Sequence, residues 1–197
     1  MPAELLAKLG LTAGVATASG LRLYGTVAAL GLLHRTGALR LPAGLESLAE
    51  LPIIIIAGVL YVVEFVADKI PAFDSVWDSI HTFIRVPAAA VLAYAAFGPV
   101  DESWRIGAAL LCGTIALSSH AIKASSRLAI NASPEPLSNW AASFSEEAIV
   151  FGLIWLAVTH PIAALVVGLL TVVVAVLLAS WIIRMMRRVL ARRPRSA

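Results

Sequence analysis

Between Pro161 and Ile183 the sequence reads PIAALVVGLLTVVVAVLLASWII, without one charged residue. A hydrocarbon core about 30 Å thick takes roughly 20 apolar residues per helical crossing, so a run of this length predicts a membrane helix. Lipid offers the backbone no hydrogen-bond partners, and a chain committed to one such crossing folds its other apolar runs as helices too. Composition extends the conclusion: of 197 residues 60% are hydrophobic and 14% charged, with a mean hydropathy of +0.90, outside the range of soluble domains.

The expected fold is an all-α, polytopic transmembrane helix bundle. Apolar segments at about Leu11–Leu33, Leu48–Ala67, Ile84–Phe97, Ile106–Ile130, Ala148–His160 and Ile162–Ile183 predict about six crossings. HRTGALRLPAG, the prolyl stretch after Asp68, GPVDESW, NASPEPLSN and THP read as the turns between them. ATA at Ala16–Ala18 has the look of a signal-peptidase site, but Glu4 beside Lys8 and the apolar run beyond it favour a true first helix. Arginines crowd the C-terminus at Arg184, Arg187, Arg188, Arg192, Arg193 and Arg195, which places that end in the cytoplasm. An even number of crossings puts the N-terminus there as well, in a multi-pass protein of a bacterial inner (plasma) membrane. The single cysteine, Cys112, allows neither a disulfide framework nor a thiolate metal site.

Against this apolar background the charges between Val62 and Pro87 stand out. Glu64 and Asp68 are four residues apart and share a helical face. Asp74, Asp78, His81 and Arg85 follow at i, i+4, i+7 and i+11, which sets them on one face of an amphipathic segment near 73–85, with Val76, Ile80, Phe83 and Ile84 turned away. A charge inside a bilayer costs about 2.5–3.5 kcal/mol on the lenient insertion scale, so such residues face a cavity or a partner. Glu64 and Asp68, with Glu147, are candidates for binding a proton or cation, and an interfacial ion pair with Lys69 or Arg85 is the alternative for Glu64. Asp74, Asp78 and His81 have spacing compatible with a divalent ion, and a solvated helix face would show the same spacing.

A second constellation links the two halves. ATASGLRLYG from Ala16 and ALSSHAIKASS from Ala116 share an Ala-x-small-Ser core followed by a cation, Arg22 or Lys123, and Glu50 and Glu147 each precede a long apolar run. With three helices per copy, the second copy would lie upside down relative to the first, giving repeats at 1–100 and 101–188 and a basic cytoplasmic tail at 189–197. Transporters with inverted repeats bind near the midplane, where helices are interrupted. Ser-Gly before Arg22 and Ser-Ser-His before Lys123 are places for such loosening. Ser19, Arg22, His120, Lys123 and Arg127 are then the candidate residues for an anionic group, and structural ion pairing of the basic ones with Glu50, Glu146 or Glu147 is the alternative.

The segments SGLRLYGTVAALGL, EFVADKIPAFDSVWDSIHTFIRVPAAAVL and SSHAIKASSR together resemble the bacterial and plastid membrane proteins grouped as domain of unknown function 4126. The resemblance covers nearly the whole chain, and E-x-x-x-D-K-I-P-x-x-D is its most specific part. It implies a polytopic membrane protein and assigns no activity.

The residues contain no nucleotide loop, serine elbow or cofactor motif, which disfavours primary active transport and covalent catalysis. The leading expectation is a small secondary transporter or channel, not an enzyme, with a charged midplane pocket for an anionic solute or lipid group and proton coupling. No cofactor is expected. The expected partners are the lipid bilayer, a small anion and a second copy of the chain, without nucleic acid. Two alternatives stay open: a membrane-embedded enzyme acting on a lipid headgroup through a metal at Asp74, Asp78 and His81, and a non-catalytic assembly factor.

Overall fold

The computed structural model describes residues 2–132 and 136–191, and their regular structure is helical. Seven α-helices follow one another: α1 (Pro2–Leu21), α2 (Leu23–Arg35), α3 (Leu51–Ala67), α4 (Pro71–Ala96), α5 (Glu102–Asn131), α6 (Pro136–Thr159) and α7 (Pro161–Ala191), with a 3-10 segment, Ala43–Ala49, before α3. Prolines in the first turn start α3 and α4, where the missing N–H costs nothing. Asp101 caps α5 by accepting a hydrogen bond from the Ser103 amide at 2.9 Å. That bond holds its exposed carboxyl below the usual range. Gly98, at φ +58°, reverses the chain after α4 in a conformation that favours glycine.

Among the described residues, four helices are long and apolar enough to cross a membrane, within Phe73–Ala96, Glu102–Asn131, Leu137–Thr159 and Pro161–Ala191. The 3-10 segment and α3, bent by 68° where they meet, make a fifth if the pair is one span. This differs from six crossings at two places. The separate amphipathic segment expected near 73–85 merges with the third apolar run into the single helix α4. The first apolar run, Leu11–Leu33, divides at Arg22, whose extended backbone (φ −143°, ψ 88°) separates α1 from α2.

Packing shows the consequence of that break. A Cβ on Gly25 of α2 would meet the Tyr61 ring, and one on Gly31 would meet Leu48 and Ile54, so α2 runs antiparallel to α3. Leu5, Leu6 and Leu9 of α1 lie with Phe97, Pro99, Val100 and Trp104 around a cavity of about 660 Å³, whereas Gly20 meets Ala116 and Ser119. Thus α1 and α5 run side by side in the same direction. The chain enters on α1, turns at Arg22 inside the bundle and leaves on α2 toward the end it came from. ATASG and ALSSH do touch, with the Ser119 hydroxyl donating to the Thr17 carbonyl at 2.7 Å, but two inverted copies would run oppositely there and these do not.

The core follows membrane logic. Small residues line it, among them Ala13, Ala16, Ala89, Ala93, Ala108 and Ala116, and they let helices approach closely. Phe73, Val76, Ile80 and Phe83 of α4 face outward while Asp74, Asp78, His81 and Arg85 are buried. Only 11% of the apolar window of α7 is covered by the rest of the chain, as suits a helix bathed in lipid. Val189 to Ala191 of the expected basic tail belong to α7, and Arg192, Arg193 and Arg195 lie outside the described residues.

Candidate functional site: a buried charge cluster

The turn at Arg22 and the C-terminal end of α3 bring the Arg22 cation together with charges from four further helices, α3 to α6. Arg22 lies 2.7 Å from Asp68, 3.3 Å from Glu146 and 3.1 Å from Glu147. Lys123 lies 3.2 Å from Asp68, 3.5 Å from Glu146 and 3.6 Å from Asp78. Arg127 pairs with Glu146 at 2.8 Å and Asp68 at 3.3 Å. Arg85 pairs with Glu64 and, at 3.2 Å, with Asp78. Four cations and five carboxylates thus form one connected network. The four cationic side chains, with Glu64 and Asp68, are sealed from solvent or nearly so, whereas Glu146 and Glu147 keep 11% and 13% of their side chains exposed.

The interrupted backbone is part of this network. A helix end leaves carbonyls without helical partners, and here the Gly20 carbonyl accepts from Arg85 at 3.3 Å and the Leu21 carbonyl from Lys123 at 3.2 Å. Cations at the C-terminal end of α1 also meet the negative pole of its dipole. The loosening expected before Lys123 is not seen, because α5 is continuous through Ser118, Ser119 and His120.

Histidine roles follow from donors. A guanidinium can only donate, so His120 Nδ1, 2.6 Å from Arg85, is the acceptor. Its Nε2 then donates, toward the Asp78 carbonyl at 3.1 Å and Thr82 Oγ1 at 2.7 Å, and the ring is neutral. His81 presents Nδ1 to the Trp77 carbonyl at 2.7 Å and Nε2 to the Tyr24 hydroxyl at 3.0 Å, and stacks on Trp77. Asp74 accepts from the Asn131 amide at 2.7 Å. Asp74, Asp78 and His81 therefore turn to three different partners, and no group of three His, Cys, Asp or Glu among the described residues could hold a metal ion.

Of the residues picked from sequence, Arg22, Lys123, Arg127, Asp68 and Glu147 meet directly, with Glu64 and His120 joined through Arg85. Ser19 is buried, without a hydrogen-bond partner on its hydroxyl among the described residues. Glu50, the counterpart expected for Glu147, stands at the N-cap position of α3 without a side-chain capping bond and is exposed, at the opposite end of α3 from Glu64 and Asp68. Glu146, which the sequence offered as an ion-pair partner of the basic residues and not as a site residue, touches Arg22, Lys123 and Arg127. Sequence reasoning left out Asn139 and Ser143, which accept from Arg127 and Arg22. The spacing of Asn139, Ser143 and Glu146 at i, i+4, i+7 was the available signal.

A cavity of about 130 Å³ between α4 and α5 touches Asp78, Thr82 and Arg127 and has room for several waters. On the α3 and α6 side, Lys69 rests its ammonium 2.9 Å from the centre of the Phe65 ring, with Trp140 and Phe144 at 5.3 and 5.5 Å. Burial, then the neighbouring Arg22, holds this lysine below its usual pKa. For Asp68, burial acts upward and the cations Lys123, Arg22 and Arg127 overcome it, so its carboxyl sits below the usual range.

Residues 9–181 match the model of a family described as Domain of unknown function (DUF4126). No curated protein and no solved structure matches the chain.

Proposed function

We propose that this chain, which belongs to the DUF4126 family, is a small secondary transporter of the inner membrane that carries an anionic solute, or an anionic lipid group, together with a proton. The observation that supports it best is the sharing of Arg22, Lys123 and Arg127 between two carboxylates of unlike access, the sealed Asp68 and the partly exposed Glu146.

Charge conservation makes this arrangement a proton–anion symporter. Removing one partner of a buried ion pair leaves an uncompensated charge and costs about 3–5 kcal/mol. An anion therefore enters most easily when it replaces a carboxylate that has just been neutralised. A proton taken by Glu147 releases part of the hold on Arg22, and the anion supplies the negative charge given up. Proton and anion arrive together and the buried net charge is unchanged. Asp68 and Glu64, fully enclosed, keep the cations in place throughout.

The broken helix supports the same reading. Interrupted helices in lipid are tolerated where their backbone faces protein or a polar cavity, and in transporters they mark the binding site. The lipid-headgroup enzyme gains no support from Asp74, Asp78 and His81, which take separate partners.

The test is thermal unfolding of the purified protein with phosphate, sulfate, chloride or succinate at pH 5.5 and 7.5, followed by proteoliposomes with a pH dye inside. The reading expects an anion that stabilises more at pH 5.5 and acidifies the lumen when it enters. An anion that binds equally at both pH values and moves without protons would sink the coupling. Absence of any anion effect would favour the assembly-factor alternative.

A further inference from the structure

We infer that Lys69 is the gate cation of the cluster: its ammonium, resting on Phe65 beside Ser143, closes the way from the α3 and α6 face to Arg22 and gives that mouth a preference for anions. This rests on the anion reading for what passes, but not for the gate itself.

The position is unusual for a lysine. Lys69 stands in the three-residue connection Asp68–Ile70 between α3 and α4. Its ammonium donates to the Phe65 carbonyl at 2.9 Å, and ending a helix in this way is ordinary for a lysine. Two further facts exceed that role. Trp140 and Phe144 come from a different helix, α6, and complete an aromatic enclosure around the charge. The Ser143 hydroxyl accepts from Lys69 at 3.3 Å and from Arg22 at 2.9 Å, so one hydroxyl links the outer cation to the deepest one.

Exposure orders these groups from outside inward. Trp140 and Phe144 are exposed, Lys69 half-buried, and Ser143 and Arg22 sealed. Cation–π contacts are individually weak, the lysine stem is flexible, and the connection that carries it belongs to neither helix. An anion at the mouth offers the ammonium a better partner than the rings. When Lys69 swings to meet it, Ser143 and Arg22 lie next in line. The network itself has one carboxylate more than it has cations, so a positive charge parked at its edge is electrostatically held and still exchangeable.

Access can be read without transport. In a Cys112→Ala background, Ser143→Cys places a thiol behind Lys69, to be labelled by a sulfonate-bearing and a trimethylammonium-bearing thiol reagent. With Lys69 present, the anionic reagent should react at least about tenfold faster than the cationic one. With Lys69→Gln the cationic reagent should speed up and the ratio fall toward one, and Lys69→Arg should retain the preference. If Ser143→Cys does not give folded protein, Ala142→Cys serves as the reporter. A ratio unchanged by Lys69→Gln overturns the gate. Labelling rates that shift as expected in a protein that moves no anion would leave the gate standing and remove the transport reading, so the two fail separately.

Discussion

Arg22 and Asp68 face each other at 2.7 Å with neither side chain exposed. One residue sits where the first helix breaks and the other where α3 ends, so a single ion pair joins the two backbone interruptions. Arg22→Gln leaves Asp68 with Lys123 and Arg127, and Asp68→Asn leaves Arg22 with Glu146 and Glu147. Each single change should cost about 3–5 kcal/mol, because it strands buried charge. The double variant should lose clearly less than the sum of the two, measured by chemical unfolding in detergent. Strict additivity would mean that the pair does not act as a unit.

Asp68 also makes a pH prediction whose sign is fixed. Its carboxyl lies below the usual range, so its contribution to stability is fully present above the unfolded value of about 3.9 and is lost only as pH falls through the lower folded value. Melting curves of wild type and Asp68→Asn should run parallel between pH 5 and 8 and converge below about pH 4. Any slope of anion binding between pH 5 and 8 then belongs to other groups. The proposal assigns it to Glu147, so Glu147→Gln should retain anion binding and flatten that slope.

Gly20 tests the helix crossing that sets the site. A Cβ there would sit 2.4 Å from the Ala116 carbonyl oxygen and 2.7 Å from Ser119 Cβ, closer than real contacts, and neither neighbour is the far end of a flexible chain. Gly20→Ala should destabilise by about 1–3 kcal/mol and weaken anion binding, since α1 carries Arg22 at its end. Gly58→Ala meets open space on α3 and should leave stability unchanged or raise it by up to about 1 kcal/mol. Equal losses at both positions would show that α1 and α5 are not tightly pressed together.

Much of this arrangement was readable, and the misreadings have physical causes. The face bearing Asp74, Asp78, His81 and Arg85 was legible from spacing alone. Whether it met water or the bundle interior was not, because an amphipathic pattern fixes which residues share a face and leaves open which face is inside. In lipid the apolar side turns out, which is what Phe83, 81% exposed, does on α4. The loosening at Ser19-Gly20 was visible as small polar residues before a cation. Its consequence was hidden, since a single extended residue at Arg22 converts an apparent crossing into two half-length arms without any change in hydropathy. Glu146 was read only as an ion-pair partner of the basic residues, because Glu147 beside it was the one that aligned with Glu50, and adjacent residues on a helix point in different directions.

The same break changes the topology. Leu5 to Leu9 share a cavity with Phe97, Pro99 and Val100, so the N-terminal end should lie on the same side as the α4–α5 turn, and three helices later the C-terminus should lie on the other. The even count of crossings from sequence instead puts both termini together. Reporter fusions before Glu4, after Val100 and after Arg188 separate the two: the folded-back α1 and α2 require the first two to agree and the third to differ. A fusion before Glu4 that reports the same side as the one after Arg188 would mean that α1 and α2 cross as one span, and Arg22 would lose its place at the tip of an internal turn.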